Sequence, residues 1–546
     1  MTKHFFEYYN NTILNHWDAS AISDFDGEKE YTYGQMATEI TRLQLLLNAL
    51  GIRRGDKVAI CSRNCANWAI SFLSICANRG VVVSIMDAFT GEGVENLVNH
   101  SDAKALFVGQ SVWTKVDIKK MPNLSVVLSV ENFSLLFAKT DELTAIYDKK
   151  DQLFQVAYPN GYTRQDVAFP TDNLDDLMII NYTSGTSSEP KGVMLTYRNI
   201  SANVQYSQET IPNSVGDNEV CMLPLSHMFG LVIEFIYQVA GGCHVHFLSK
   251  TPTPSVLLKA FKEVKPYMIL TVPLVLEKIF KAKIFPALEK PVVKFLWNTP
   301  LLCKIVEKKI YEQLMEAFGG NLRWLITGGA AINQDVESVF RRIKFPFVVG
   351  YGMTECGPLI CYDHPQNEVL GCCGKVVTRN ELKINSEDPQ HTVGEILVRG
   401  EHVMLGYYKN EEATNAAIDK NGWLHTGDLG VMDSEGRLFI KGRSKAMILS
   451  SNGQNVYPEE IEDKLNNLPA VVESVVVGRK GKIVALVFPD TEYLKKNNLS
   501  VEQQMADNLI ALNKKLPQYE QVAKIELVDK EFEKTPKRSI RRFLYN

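Results

Sequence analysis

No CxxC pair and no evenly spaced cysteine framework occurs in the chain, although ten cysteines are spread between Cys61 and Cys373. That pattern argues against a zinc ribbon or a stapled secreted domain and leaves reduced, partly buried thiols as the expectation. Charge of one sign is also scarce. The net charge is −4 over 546 residues, so nothing in the balance points to a nucleic-acid partner. No uncharged run reaches the roughly 18 residues that a membrane-crossing helix needs. The opening MTKHFFEYYNNTILNHW lacks the apolar core and small-residue cleavage site of an export signal, so a cytoplasmic location is expected. There is no internal repeat and no low-complexity tract. What remains is an ordinary globular composition on a chain too long for one core, which implies two or more domains with room to enclose a ligand.

Between residues 31 and 86 the texture alternates. YTYG leads into a helical stripe of Met36, Ile40, Leu43, Leu47 and Leu50, followed by Gly51, the RRGD turn and the strand-like KVAIC. Short apolar runs, each followed by a loop and a helical pattern, return at 105–108, 178–181, 267–272, 322–327 and 345–350. The expected fold is α/β: a large N-terminal domain of layered sheets and helices over 1–442, and a small α/β domain over 443–546. In open α/β sheets ligands sit at the carboxyl ends of strands. TSGTSSEPKG, TGGAA (327–331) and GYGMTE (350–355) all fall at such ends. Residues 284–312, with Phe285, Phe295, Leu296, Trp297 and Leu302 among lysines, read as an inserted helical element that packs inward and leaves a solvated basic face; interfacial membrane contact is the second reading.

The run YTSGTSSEPKGV (182–193) is built to hold phosphate. Gly185 permits close backbone approach to an anion, Thr183, Ser184, Thr186, Ser187 and Ser188 supply hydroxyl donors, and Lys191 supplies a compact positive charge. ATP suits such a loop. It is not the ordinary P-loop, because Pro190 precedes the lysine, Gly192 follows it, and 193–196 reads as a strand rather than a helix whose N-terminus faces the phosphate.

YTSGTSSEPKG, LPLSHMFG, GYGMTE, GEILVRG, GWLHTGDLG and GRSKAMILSSNGQNVYPEEIE together resemble the adenylate-forming enzymes, which include acyl-CoA synthetases, luciferases and the adenylation domains of peptide synthetases. The resemblance spans nearly the whole chain and implies a two-step reaction. A carboxylate attacks the α-phosphate of ATP to give an acyl-adenylate and pyrophosphate, and a thiol then displaces AMP. It also implies roles: Lys191 and the loop hydroxyls on the triphosphate, Glu355 on a magnesium ion, Thr354 on the α-phosphate, and Asp428 with Arg443 on the ribose hydroxyls. Gly328, Gly329 and Ala330, with Tyr351 and Gly352 of GYGMTE, match the nucleotide pocket. His227 matches a residue beside the carboxylate and the thiol path; a structural histidine is its alternative. Lys445 matches the hinge on which the C-terminal domain turns, and Gly453 in SSNGQN matches the loop that lines the thiol tunnel.

Two positions depart from the family pattern. Ser188 replaces a glycine of the phosphate loop. Near the C-terminus KTPKRSIRRFLYN puts Ser539 where the family carries a lysine that reaches the substrate carboxylate. In an extended segment Lys537 projects on the same face, so Lys537 is the candidate replacement, ahead of Arg538 and Arg541. TVPLVLEKIF (271–280), the helical insert and SSNGQNVYPEEIE look most like the long-chain fatty acyl-CoA synthetase branch. That implies a medium- or long-chain fatty acid with coenzyme A as acceptor, aryl acids being the alternative. An acyl-AMP ligase, an acyl-acyl carrier protein synthetase, and a non-catalytic nucleotide- or acyl-binding relative are the competing readings.

Overall fold

The computed structural model describes residues 1–27, 29–183, 190–367, 369–449, 454–479, 481–534 and 540–545. An eight-stranded sheet runs in the order Gly406–Tyr407, Lys191–Thr196, Leu177–Thr183, Val81–Ile85, Lys57–Cys61, Ala105–Val108, Val126–Ser129, Leu135–Ala138. Its middle is parallel, and the phosphate-loop hairpin closes one side antiparallel. A seven-stranded sheet runs Phe347–Val349, Trp324–Thr327, Met268–Thr271, Asn218–Cys221, His244–Phe247, Ser20–Asp24, Glu30–Thr32. Every pair in it is parallel except the last. Parallel strands covered on both faces must be apolar throughout, and Val81–Ile85, Ala105–Val108 and Trp324–Thr327 are buried at every position. The anticipated stripe becomes the helix Tyr33–Ala49. Met36, Ile40, Leu43 and Leu47 face the core, and Leu50, the C-cap, is buried beside them.

The main apolar core lies between and around these sheets. Separate clusters drawn from Val456 to Val522 and from Val475 to Tyr545 form the interior of the small C-terminal domain around the sheet Val471–Arg479, Lys482–Pro489, Lys524–Leu527. A four-stranded antiparallel sheet, Asn380–Asn385, Gly394–Gly400, Leu424–Met432 and Leu438–Arg443, leads into it. All ten cysteines are free thiols, buried or partly so, as their scatter predicts. Among the described residues no helix is long and apolar enough to cross a membrane. The insert forms the helices Phe285–Leu288, Pro291–Asn298 and Cys303–Ala317.

Candidate active site

Three of the glycine-rich segments follow parallel or hairpin strands, as their sequence placement anticipates. Thr183 ends one strand and is the register partner of Lys191, which begins the next. Gly328 follows Trp324–Thr327, and Tyr351 follows Phe347–Val349. Ser184, Gly185, Thr186, Ser187, Ser188, Gly453 and Lys537 lie outside the described residues.

The stretch 351–355 reaches two charged centres. At one end the Tyr351 hydroxyl donates to Asp428 Oδ2 at 2.7 Å. Arg443 Nε meets the other oxygen, Oδ1, at 2.8 Å, because Asp428 and Arg443 are register partners on neighbouring strands. Burial raises the Asp428 carboxyl above its ordinary range, and the Arg443 guanidinium pulls it back. Arg443 is exposed while Asp428 is buried, so the pair sits at the mouth of the site with its anion inside.

At the other end Glu355 Oε1 accepts a hydrogen bond from the Tyr407 hydroxyl at 2.9 Å. The ammonium of Lys191 lies 4.9 Å from the centre of the same tyrosine ring. Tyr407 therefore joins the lysine and the glutamate, cation on its face and carboxylate on its hydroxyl. Its position is fixed by backbone pairing, Tyr407 opposite Val193 and Gly406 opposite Met194, and by Tyr408 N donating to Gly192 O at 2.7 Å. Thr354 is buried beside Glu355, and the Glu355 carbonyl accepts from Met404 N at 2.8 Å. Tyr407 is absent from the sequence-derived set; the signal available was MLGYYKN, a glycine followed by two tyrosines soon after GEILVRG.

The glycines matter for space. A Cβ at Gly352 would stand 2.2 Å from Pro358 O, and one at Gly328 would stand 2.9 Å from Gly350 O and 3.7 Å from the Phe229 ring. Gly329 has φ +82°, in the region that favours glycine. Gly352 and Gly328 thus let neighbouring backbone segments pack closely where a side chain would collide. Ala330 is exposed on the same loop.

His227 sits half-buried on a tightly held loop. Its Nδ1 accepts from Phe229 N at 3.3 Å, which leaves the proton of the neutral ring on Nε2. Buried side chains clamp the approach to it. Asn64 donates to Leu223 O at 2.7 Å and accepts from Leu225 N at 2.9 Å, Asn181 donates to Ser226 O at 2.8 Å, and Glu234 accepts from Leu223 N at 2.9 Å. Burial pushes the Glu234 and Glu219 carboxyls well above their ordinary range. Lys445 is exposed and lines a cavity of about 870 Å³ in the C-terminal domain with Met447, Lys482 and Tyr519.

The donors fit a triphosphate and a hard cation. Glu355 offers a carboxylate with more lone pairs than one phenol uses, the oxygen chemistry that magnesium takes, and Lys191 stands within reach of the same ring.

Solved structures share this fold. ATP-bound MatB from Rhodopseudomonas palustris superimposes with a TM-score of 0.78 at 21% identity, covering 100% of this chain and 98% of that one. The fatty acyl CoA synthetase of Mycobacterium tuberculosis gives a TM-score of 0.67 at 22% identity, covering 100% and 98%. The chain belongs to the AMP-binding enzyme family, which matches residues 11–408, and the AMP-binding enzyme C-terminal domain matches 445–545. Among curated relatives, the long-chain-fatty-acid–CoA ligase of Escherichia coli O6:H1 is 31% identical over 460 residues, 79% of this chain and 75% of the relative. Long-chain-fatty-acid–CoA ligase FadD15 of Mycobacterium bovis is 30% identical over 494 residues, 85% of this chain and 78% of the relative.

Proposed function

We propose that the chain activates a medium- or long-chain fatty acid with ATP and transfers the acyl group to the thiol of coenzyme A. The observation that carries this reading is the stretch 351–355, which touches the Asp428–Arg443 pair at one end and the Glu355–Tyr407–Lys191 group at the other. That arrangement suits a nucleotide laid along it, ribose hydroxyls on Asp428 and outer phosphates toward Lys191. Thr354 faces the α-phosphate between them, and the base lies against Gly328, Gly329, Ala330 and Tyr351.

In the first step the fatty carboxylate attacks the α-phosphorus and pyrophosphate leaves with the electron pair of the bond it breaks. Such a step is mainly positioning and charge neutralisation. Lys191 and the loop hydroxyls of Thr183, Ser184, Thr186, Ser187 and Ser188 hold the leaving group. Glu355 would hold a magnesium ion, which would supply further positive charge to the leaving group. Lys537 neutralises the incoming carboxylate. In the second step the C-terminal domain turns at Lys445, the Gly453 loop lines the thiol path beside His227, and the thiol displaces AMP at the acyl carbon.

An aliphatic acid is supported by the neighbourhood of the strand ends. An apolar seam of about 20 Å³ lies between the helices Pro254–Val264 and Pro273–Ile279, lined by Met222, Leu257, Phe261, Val275, Leu276 and Ile279. The relatives' names, long-chain-fatty-acid–CoA ligases, support the same acid and acceptor.

The test incubates the protein with ATP, magnesium and hexanoate, dodecanoate, palmitate or benzoate, with and without coenzyme A, and measures AMP and acyl-CoA. AMP and acyl-CoA from dodecanoate or palmitate only when coenzyme A is present is the expected result. Acyl-adenylate accumulating to the same extent without it would replace the reading with an acyl-AMP ligase. No AMP from any acid would overturn it.

A further inference from the structure

The insert carries apolar side chains on two sides, and only one of them is covered. On the helix Pro291–Asn298, Val293, Leu296 and Trp297 turn inward against the core. Arg342 stacks on the Trp297 ring at 3.7 Å and pairs with Glu307 at 3.0 Å, which ties the helix and its successor to the body. The opposite side is bare. Val292 is 72% exposed and Phe295 65%, three residues apart on one face, and past the turn Leu301 is 86% and Ile305 61% exposed. Large apolar side chains grouped in this way mark an interaction surface rather than ordinary scatter.

Two further observations identify what meets it. Leu301, at the outermost turn, has φ +69°, a backbone region that favours glycine, so an apolar side chain is held outward where a glycine would fit with less strain. Five lysines, 290, 294, 304, 308 and 309, flank the apolar group against three glutamates, 289, 307 and 312, although the whole chain is net acidic. All five lysines are exposed. Lys294 pairs with Glu289 and Lys308 with Glu312 in exposed bridges that contribute little, and Lys304 stands 3.5 Å from Glu307, a carboxylate that Arg342 already holds.

We propose that this elbow is a docking surface for an anionic lipid bilayer, with Val292, Phe295, Leu301 and Ile305 entering the acyl boundary and the lysines resting on headgroup phosphates. Apolar side chains ringed by flexible cations are the composition of interfacial membrane contacts. A second copy of the chain fits less well, because a two-fold contact through this patch would set its lysines against themselves. The surface continues the chain from the helix Pro273–Ile279, which lines the apolar seam, so docking would bring that helix near a source of fatty acid.

The experiment sediments the full-length protein with vesicles of phosphatidylcholine alone or with phosphatidylglycerol, at low and high salt. The variants are a triple one, Phe295→Glu, Leu301→Glu and Ile305→Glu, and a second with Lys290, Lys294 and Lys304 changed to Gln. Binding to the phosphatidylglycerol vesicles that weakens with salt, and falls at least tenfold in both variants, is expected. Unchanged melting temperature and unchanged turnover of dodecanoate without vesicles exclude a folding defect in the variants; the altered side chains are exposed, and vesicle binding is read without catalysis. No binding by the parent protein would overturn the proposal, and self-association lost in the triple variant would then assign the patch to a second copy. Equal vesicle binding by the variants would also overturn it.

Discussion

Tyr407 joins two charged side chains of the proposed phosphate end of the site. Its ring faces Lys191 and its hydroxyl donates to Glu355, so two groups of opposite charge are held apart by one aromatic body. A hydrogen bond to a charged group contributes about 1.5–3 kcal/mol. Removing it while keeping the ring frees Glu355 without moving Lys191. Tyr407→Phe is therefore expected to raise the magnesium concentration for half-maximal pyrophosphate release by about tenfold, with the melting temperature nearly unchanged. A magnesium titration of the variant checks this, and an unaltered requirement would separate Tyr407 from the metal site. The position was hard to read beforehand because Gly406–Tyr407 is a strand of two residues, too short for a periodic pattern, and its partners are more than fifty positions away in sequence. Lys191 and Glu355 were readable because glycines and hydroxyls crowd around them locally.

Among the elements, the helix Pro458–Asn466 makes the contact between the small domain and the large one. Asp463 lies near Glu277 and Asp335, carried by the helices Pro273–Ile279 and Gln334–Arg342, and Lys281 donates to Asn466 O at 2.5 Å across the same junction. Burial first, and the neighbouring Glu277, Asp335 and Glu460 carboxylates next, push Asp463 up to about 7, against the pull of Lys464. The folded state then keeps a proton that the unfolded chain loses near pH 4. Its stabilising effect is present at low pH and fades as pH rises toward 7. Glu462, buried and also raised to about 7 despite Arg542, acts in the same direction. Asp463→Asn should raise the melting temperature at pH 8 by about 2–4 °C and reduce, without abolishing, the fall between pH 5.5 and 8. Scanning calorimetry at both pH values decides this, and identical curves for the two proteins would refute it.

The elements themselves were largely visible in the chain. The stripe from Met36 to Leu50 could only be a helix, and the uninterrupted apolar runs could only be covered strands, since both follow from where water is excluded. The insert was half legible. Its inward face packs as a helix should, but Phe295 and Leu302 are exposed, which composition alone does not reveal because an apolar residue on a helix is usually buried. The buried Glu219 and Glu234 were equally opaque. They sit in apolar runs without a local partner, and their place is set by strands and loops that meet only in three dimensions.

For the whole molecule, the proposed chemistry requires two arrangements of the small domain about Lys445, one for each step. In that proposal Lys537 acts in the first of them. Lys537→Ala is expected to slow pyrophosphate release by about 100-fold, the scale of losing one charge-stabilising group, while leaving thioester formation from supplied acyl-adenylate unchanged. Measuring the two half-reactions separately checks it; an unchanged adenylation rate would remove Lys537 from the site. A Ser539→Lys variant that adenylates much faster than the parent would instead mark the first step as weak in this chain.

The most direct measurement is the exchange of labelled pyrophosphate into ATP, dependent on dodecanoate or palmitate and made without any thiol. Reversible formation of an acyl-adenylate predicts that the label enters ATP only when the acid is present, and that Lys191→Ala slows the exchange by about 100- to 1,000-fold. No acid-dependent exchange under saturating ATP and magnesium, or undiminished exchange in the Lys191 variant, would contradict the assignment of an acyl-activating site at the Lys191, Glu355 and Asp428 cluster.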